Sequence, residues 1–154
     1  MIGVGFHSYQ KTDVITADPK KLVIMCYEGA IYNVKLAKAR FYAEEYEGKA
    51  KAIQNALDIL NELRAALDFE KGGEIAKNLD SLYSFWTQHI IKADLNRDTR
   101  ALDQVAAMLE EIKSALEEAY YGQKEGQTLP LPLGNPSYEG IRTTKPAHTT
   151  DLIP

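Results

Sequence analysis

The sequence predicts an all-α protein, an antiparallel up-down-up-down four-helix bundle, and three observations carry that prediction. Between Pro19 and Pro130 there is no proline, so the strongest helix breaker is missing from the middle of the chain. Within that stretch apolar residues recur at intervals of three and four, the period of one helix face. Patterns alternating with period two, which a half-buried strand would need, are absent.

Residues 1–17 precede the bundle and mix Phe6, Tyr9, Val14 and Ile15 with Gly3, Gly5, Ser8 and Thr16. Such a segment either packs on a bundle end or acts as a flap over a binding surface. The first long helix is expected from Asp18 and Pro19 to about residue 47. An aspartate there accepts hydrogen bonds from the unpaired first-turn amides, and proline at the first helical position loses nothing. Leu22, Cys26, Ala30, Val34, Ala37 and Phe41 form its stripe, which Val23, Tyr27 and Ile31 widen enough to serve two neighbours.

Gly48 and the Gly72-Gly73 pair mark the next breaks. Between them, residues 49–69 carry Ile53, Ala56, Leu57, Leu60, Leu63 and Leu67 on one stripe. Residues 74–93 repeat the pattern with Ile75, Leu79, Leu82, Trp86, Ile90 and Ala93, and add Tyr83 and Phe85. Asp94 to Asp98 offers caps and a turn, and residues 98–121 make the fourth helix through Leu102, Val105, Leu109, Ile112, Leu116 and Ala119. Short connections make sequential neighbours antiparallel. From residue 122 to 154 five prolines exclude a long helix, while Leu129, Leu131, Leu133, Tyr138, Ile141, Leu152 and Ile153 remain apolar. That tail is expected to be extended or disordered, and in the extended case to lie on the bundle and compete for its binding surface.

Composition limits function. A net charge of -4 and a pI near 5.4 oppose contact with a polyphosphate backbone, so nucleic acid is not the expected partner. No run of apolar residues is long enough for a membrane helix, and no secretory signal pattern opens the sequence. A single cysteine, Cys26, has no partner for an internal disulfide, which fits a cytoplasmic protein.

Chemistry is missing as well. A di-iron bundle needs Glu-x-x-His pairs, but Val4, Trp86 and Lys145 stand three before His7, His89 and His148. His89 reads as a border residue of the third helix and Cys26 as a buried small hydrophobe. No nucleophile-base set or phosphate loop is present, so neither an enzyme nor a cofactor is expected. Lys35, Lys38 and Arg40 read as a solvated face offset by Glu44, Glu45 and Glu47.

Two ordered motifs identify a resemblance. Tyr9, then Val14-Ile15-Thr16-Ala17-Asp18-Pro19, Leu22 and Cys26-Tyr27-Glu28-Gly29-Ala30 follow one another, and residues 59–85 read ILNELRAALDFEKGGEIAKNLDSLYSF. Over about residues 9–120 the chain resembles the flagellin-specific export chaperone family, FliS. Where that family has Tyr-x-Tyr-Met, this chain has Tyr83-Ser84-Phe85-Trp86. Ala93-Asp94 stands for the family's Ala-Asn, and the tryptophan near the end of the last helix is not there.

The resemblance implies a cytoplasmic chaperone that binds the C-terminal segment of newly made flagellin, prevents premature polymerisation and delivers it to the flagellar type III export gate, with no cofactor. A chaperone or adaptor for another secreted helical protein is the alternative. Partner contact is expected at Tyr9, Val14, Leu22, Tyr27, Leu82, Tyr83, Trp86 and Ile90, the aromatic members being able to serve equally as core. Exchange of the tail or of the N-terminal segment between two copies would give a homodimer.

Overall fold

The computed structural model describes residues 18–122, and within them the chain forms four α-helices and no strand. These are α1 (Pro19–Tyr42), α2 (Tyr46–Ala65), α3 (Phe69–Asn96) and α4 (Thr99–Tyr121). The readings of residues 1–17 as a cap or flap and of the proline-rich tail fall outside the described residues.

Cross-helix ion pairs give the topology directly. Along α1 the residues Glu28, Lys35 and Lys38 meet Lys113, Glu110 and Asp103 of α4, one series rising while the other falls. Lys49 and Arg64 of α2 likewise meet Asp94 and Asp80 of α3. Both pairs of helices are therefore antiparallel, and α1 packs on α2 and α4 while α3 packs on α2 and α4. The two neighbours expected from the wide apolar face of α1 are present. The offset to its basic residues is not the local one expected, because only Arg40 uses the adjoining acids, through Glu45, whereas Lys35 and Lys38 reach across to α4.

Helix ends follow side-chain capping more closely than glycine. Asp18 caps α1 by accepting from the Lys21 amide at 2.8 Å, as the sequence predicts. That helix stops at Tyr42, short of residue 47, because the chain turns at Glu44, which takes φ 59°. Gly48 breaks nothing and lies in the first turn of α2. Asp68 starts α3 well before Gly73, accepting from the amides of Glu70 and Lys71 at 3.0 Å. Arg97, at φ 55°, closes α3, and Asp98 caps α4 through the Ala101 amide.

Gly73 is a kink inside α3, with φ 50° and ψ -126°. A side chain there would meet no atom within 4 Å, so the constraint is the backbone alone. Gly73→Ala is expected to lower the unfolding free energy by about 1–3 kcal/mol through that strain. Gly48→Ala, in helical geometry with only the flexible Arg40 side chain nearby, should stay within about 1 kcal/mol of the parent. Urea unfolding of the two variants compares them, and equal stability would remove the strain at Gly73.

Candidate functional site

At the centre of the bundle stand three aromatic rings. Tyr27 of α1 lies edge-on to Trp86 of α3 with centroids 6.3 Å apart, and Tyr83 lies 5.9 Å from Trp86. The Tyr27 hydroxyl donates to the Tyr83 hydroxyl at 3.0 Å. All three side chains are buried, as is Tyr120 of α4. Among the described residues the Trp86 indole N–H and the Tyr120 hydroxyl have no hydrogen-bond partner. Burial pushes the phenols of Tyr27, Tyr83 and Tyr120 above their ordinary range, and the Cys26 thiol up to about 12 with help from the Glu62 carboxylate. Cys26 is thus the inert small hydrophobe that its position on α1 suggested.

These facts place the residues expected at a partner interface. Tyr27, Tyr83, Trp86 and Ile90 are inside the core of the described fold, and Leu22 and Leu82 are half-buried at its edge. Tyr9 and Val14 lie outside the described residues. The bundle brings Tyr27, Tyr83 and Trp86 together, but no side-chain face of that trio is open to a partner in this state.

Open apolar surface lies instead along the α3–α4 seam. On α3, Ile75, Leu82, Phe85 and His89 follow at intervals of seven, three and four, so they share one flank. On α4, Met108, Ile112 and Leu116 follow at intervals of four, on the side away from Asp103 and Glu110, which face α1. His89 meets Gln104 across the seam at 3.3 Å. Antiparallel counting from that contact puts Phe85 level with Met108 and Leu82 within one residue of Ile112. Leu82, Met108, Ile112 and Leu116 are packed on the core yet only partly covered. Phe85 is 46% exposed and Ile75 40%.

Phe85 stacks on the His89 ring, centroids 5.1 Å apart and planes 20° apart, which makes a flat platform at the seam's edge. The arrangement suits cover by an amphipathic segment, because apolar side chains at helical spacing can fill an apolar seam. Among the described residues no three His, Cys, Asp or Glu side chains come close enough to hold a metal ion. No helix among them is long and apolar enough to cross a membrane.

Of these seam residues the sequence points to a partner contact at Leu82 alone, places Phe85 in an aromatic cluster and Ile112 and Leu116 on the core stripe, and does not single out Met108. The available signal was a second stripe running beside the core stripe on two consecutive helices.

The family model described as flagellar protein FliS matches residues 5–123. The chain is similar to the flagellar secretion chaperone FliS of Vibrio cholerae, at 38% identity over 118 residues, covering 74% of this chain and 87% of that protein. It is also similar to the FliS of Salmonella typhimurium, at 38% identity over 105 residues, covering 66% and 76%. The FliSB chaperone of Pseudomonas aeruginosa is 36% identical over 104 residues, covering 68% and 82%.

Proposed function

The chain belongs to the FliS family of flagellar proteins, a family of chaperones and not of enzymes, and from that premise we propose that it is the cytoplasmic export chaperone of a flagellin. In this reading it binds the C-terminal segment of the newly made subunit, keeps it from polymerising and delivers it to the flagellar export gate. The observation that supports the reading best is the half-covered seam of Leu82, Phe85, Met108, Ile112 and Leu116. An unfolded amphipathic segment covering such a surface meets its ordering entropy on binding, so no nucleotide is required to load or hold it.

Tyr27, Tyr83, Trp86 and Ile90 enter this reading as the floor beneath the seam: they fix the position of α3, and the client touches the seam above them. Leu82 serves both roles. Calorimetric titration tests the proposal with full-length cognate flagellin and with a form lacking its C-terminal segment. Only the full-length form should bind, and Phe85→Asp should weaken it by a factor of ten or more with the melting temperature unchanged. Equal binding of the truncated form would instead favour a chaperone or adaptor for another secreted helical protein. Intact binding by Phe85→Asp would move the client off the seam.

A further inference from the structure

The two banks of the α3–α4 seam are charged, and the charge runs the same way along both. At 100° per residue, Arg100, Glu111 and Glu118 lie within about 20° of one another on α4, just outside Gln104. By the same count Glu74, Ser81 and Lys92 lie within about 20° of one another on α3, beside Phe85. Counted from the His89–Gln104 contact, Lys92 stands level with Ala101 and so opposite Arg100, while Glu74 stands level with Ala119, next to Glu118. Each cation is separated from the acid at the far end of its own bank by about 27 Å of helix. All five charged side chains are exposed, and among the described residues none takes part in an ion pair.

The neighbouring charges are turned elsewhere. Asp103, Glu110 and Lys113 of α4 pair with α1, and Asp80 and Asp94 of α3 pair with α2. Asp98 accepts from the Ala101 amide at 3.0 Å. Lys77 lies about 60° further round the outer side of α3 than Lys92, and Glu70 and Lys71, opposite in sign, stand beyond the kink at Gly73. Glu44, Glu45 and Glu47 belong to the α1–α2 turn, across the bundle end from the seam.

The arrangement also opposes the electrostatics of α4 itself. A helix favours acids in its first turn and bases in its last. This helix has neither; it carries Arg100 in the first turn and Glu118 in the last. Both side chains are exposed, so packing does not impose that order. Charges that weaken their own helix without a packing reason point to a partner that meets them.

Resting on the reading of the seam as the client surface, we propose that it accepts an amphipathic client helix in one direction only. The acidic end lies beside Lys92 and Arg100 and the basic end beside Glu74, Glu111 and Glu118. A client helix with acids in its first turn and bases in its last, the order its own dipole favours, then runs parallel to α4. The apolar stripe fits either way up; the charges choose, because the reversed helix would set like charges against each other at both ends.

The experiment uses the full chain and a helical peptide of about five turns, with leucines on one face, glutamates in its first turn, lysines in its last and a nitroxide label at the glutamate end. It should bind, more weakly as salt rises, and broaden the amide signals of Lys92 and Arg100 more than those of Glu74 and Glu118. A peptide with glutamine at every charged position should bind about tenfold more weakly. Lys92→Glu with Arg100→Glu should weaken the charged peptide about tenfold at a parent-like melting temperature. Adding Glu74→Lys, Glu111→Lys and Glu118→Lys should restore the affinity and move the broadening to residues 74 and 118. Equal broadening at both ends, equal affinity for the glutamine peptide, or an unchanged direction in the reversed variant overturns the proposal and leaves the seam as the client surface. No binding by the charged peptide, or binding that Phe85→Asp leaves unchanged, removes the seam itself and the proposal with it.

Discussion

Trp86→Ala is expected to remove about 3–5 kcal/mol of unfolding free energy, the range for emptying a large aromatic from a packed core. Trp86 is fully buried against Tyr27 and Tyr83, which come from two different helices, so the space it leaves cannot close by moving one side chain. A domain of this size holds roughly 5–15 kcal/mol in total, so the variant should be near the edge of folding at physiological temperature. Trp86→Phe keeps a six-membered ring in the site and leaves a smaller cavity, and the indole N–H lost with the second ring has no partner among the described residues; it should lose less. Urea denaturation followed by helical ellipticity measures both. A parent-like urea midpoint for Trp86→Ala, together with lost client binding, would make the tryptophan an interface anchor and contradict its place in the core.

Alkaline pH should unfold the bundle cooperatively. Cys26, Tyr27, Tyr83 and Tyr120 are acids whose protons the native state holds more tightly than the unfolded chain does, because burial disfavours the charged form. A raised pKa means that the stabilisation is complete below the unfolded values, 9.0 for the thiol and 10.0 for the phenols, and falls as pH rises through and beyond them. Each such group removes up to about 1.4 kcal/mol per pH unit. Near pH 11 the four together oppose folding by on the order of 5 kcal/mol, comparable with the whole stability of a small domain. Tyr121, pushed up to about 12 by partial burial and by the Asp18 carboxylate, is half exposed and adds less. Helical ellipticity and tyrosinate absorbance followed against pH should show one shared transition near there. Complete ionisation of the tyrosines with the helices intact would show that the buried phenols are not held as the packing implies. Tyr27→Phe should move the transition to higher pH.

Particular residues show how much was legible in advance. The proline-free stretch, the three- and four-residue spacing and the Asp18-Pro19 start sufficed for four antiparallel helices, because those signals are local to the backbone and to one helix face. The family resemblance was readable for the same reason, as ordered residues along the chain. Helix ends were less legible: Gly48 looked like a break yet lies inside α2, whereas the break expected at Gly72-Gly73 is present as the kink at Gly73 within α3, and the turns themselves follow Glu44 and the Asp68 cap. Lys20 is a sharper case, a lysine buried completely with its ammonium 5.7 Å from the Tyr121 ring. Asn33 and Asn55 are another, two amides meeting inside the α1–α2 contact.

The same division runs through the candidate site. Sequence alone determined that Tyr27, Tyr83 and Trp86 were large, amphipathic and on apolar stripes, which describes an anchor and a core residue equally. Tertiary structure decided between them, because burial depends on which face of each helix meets its neighbours, a property of all four helices together. It also decided that Phe85, beside Trp86 in sequence, stays open at the seam. One residue is a 100° turn of the helix, and that rotation separates the core from the surface available to a partner.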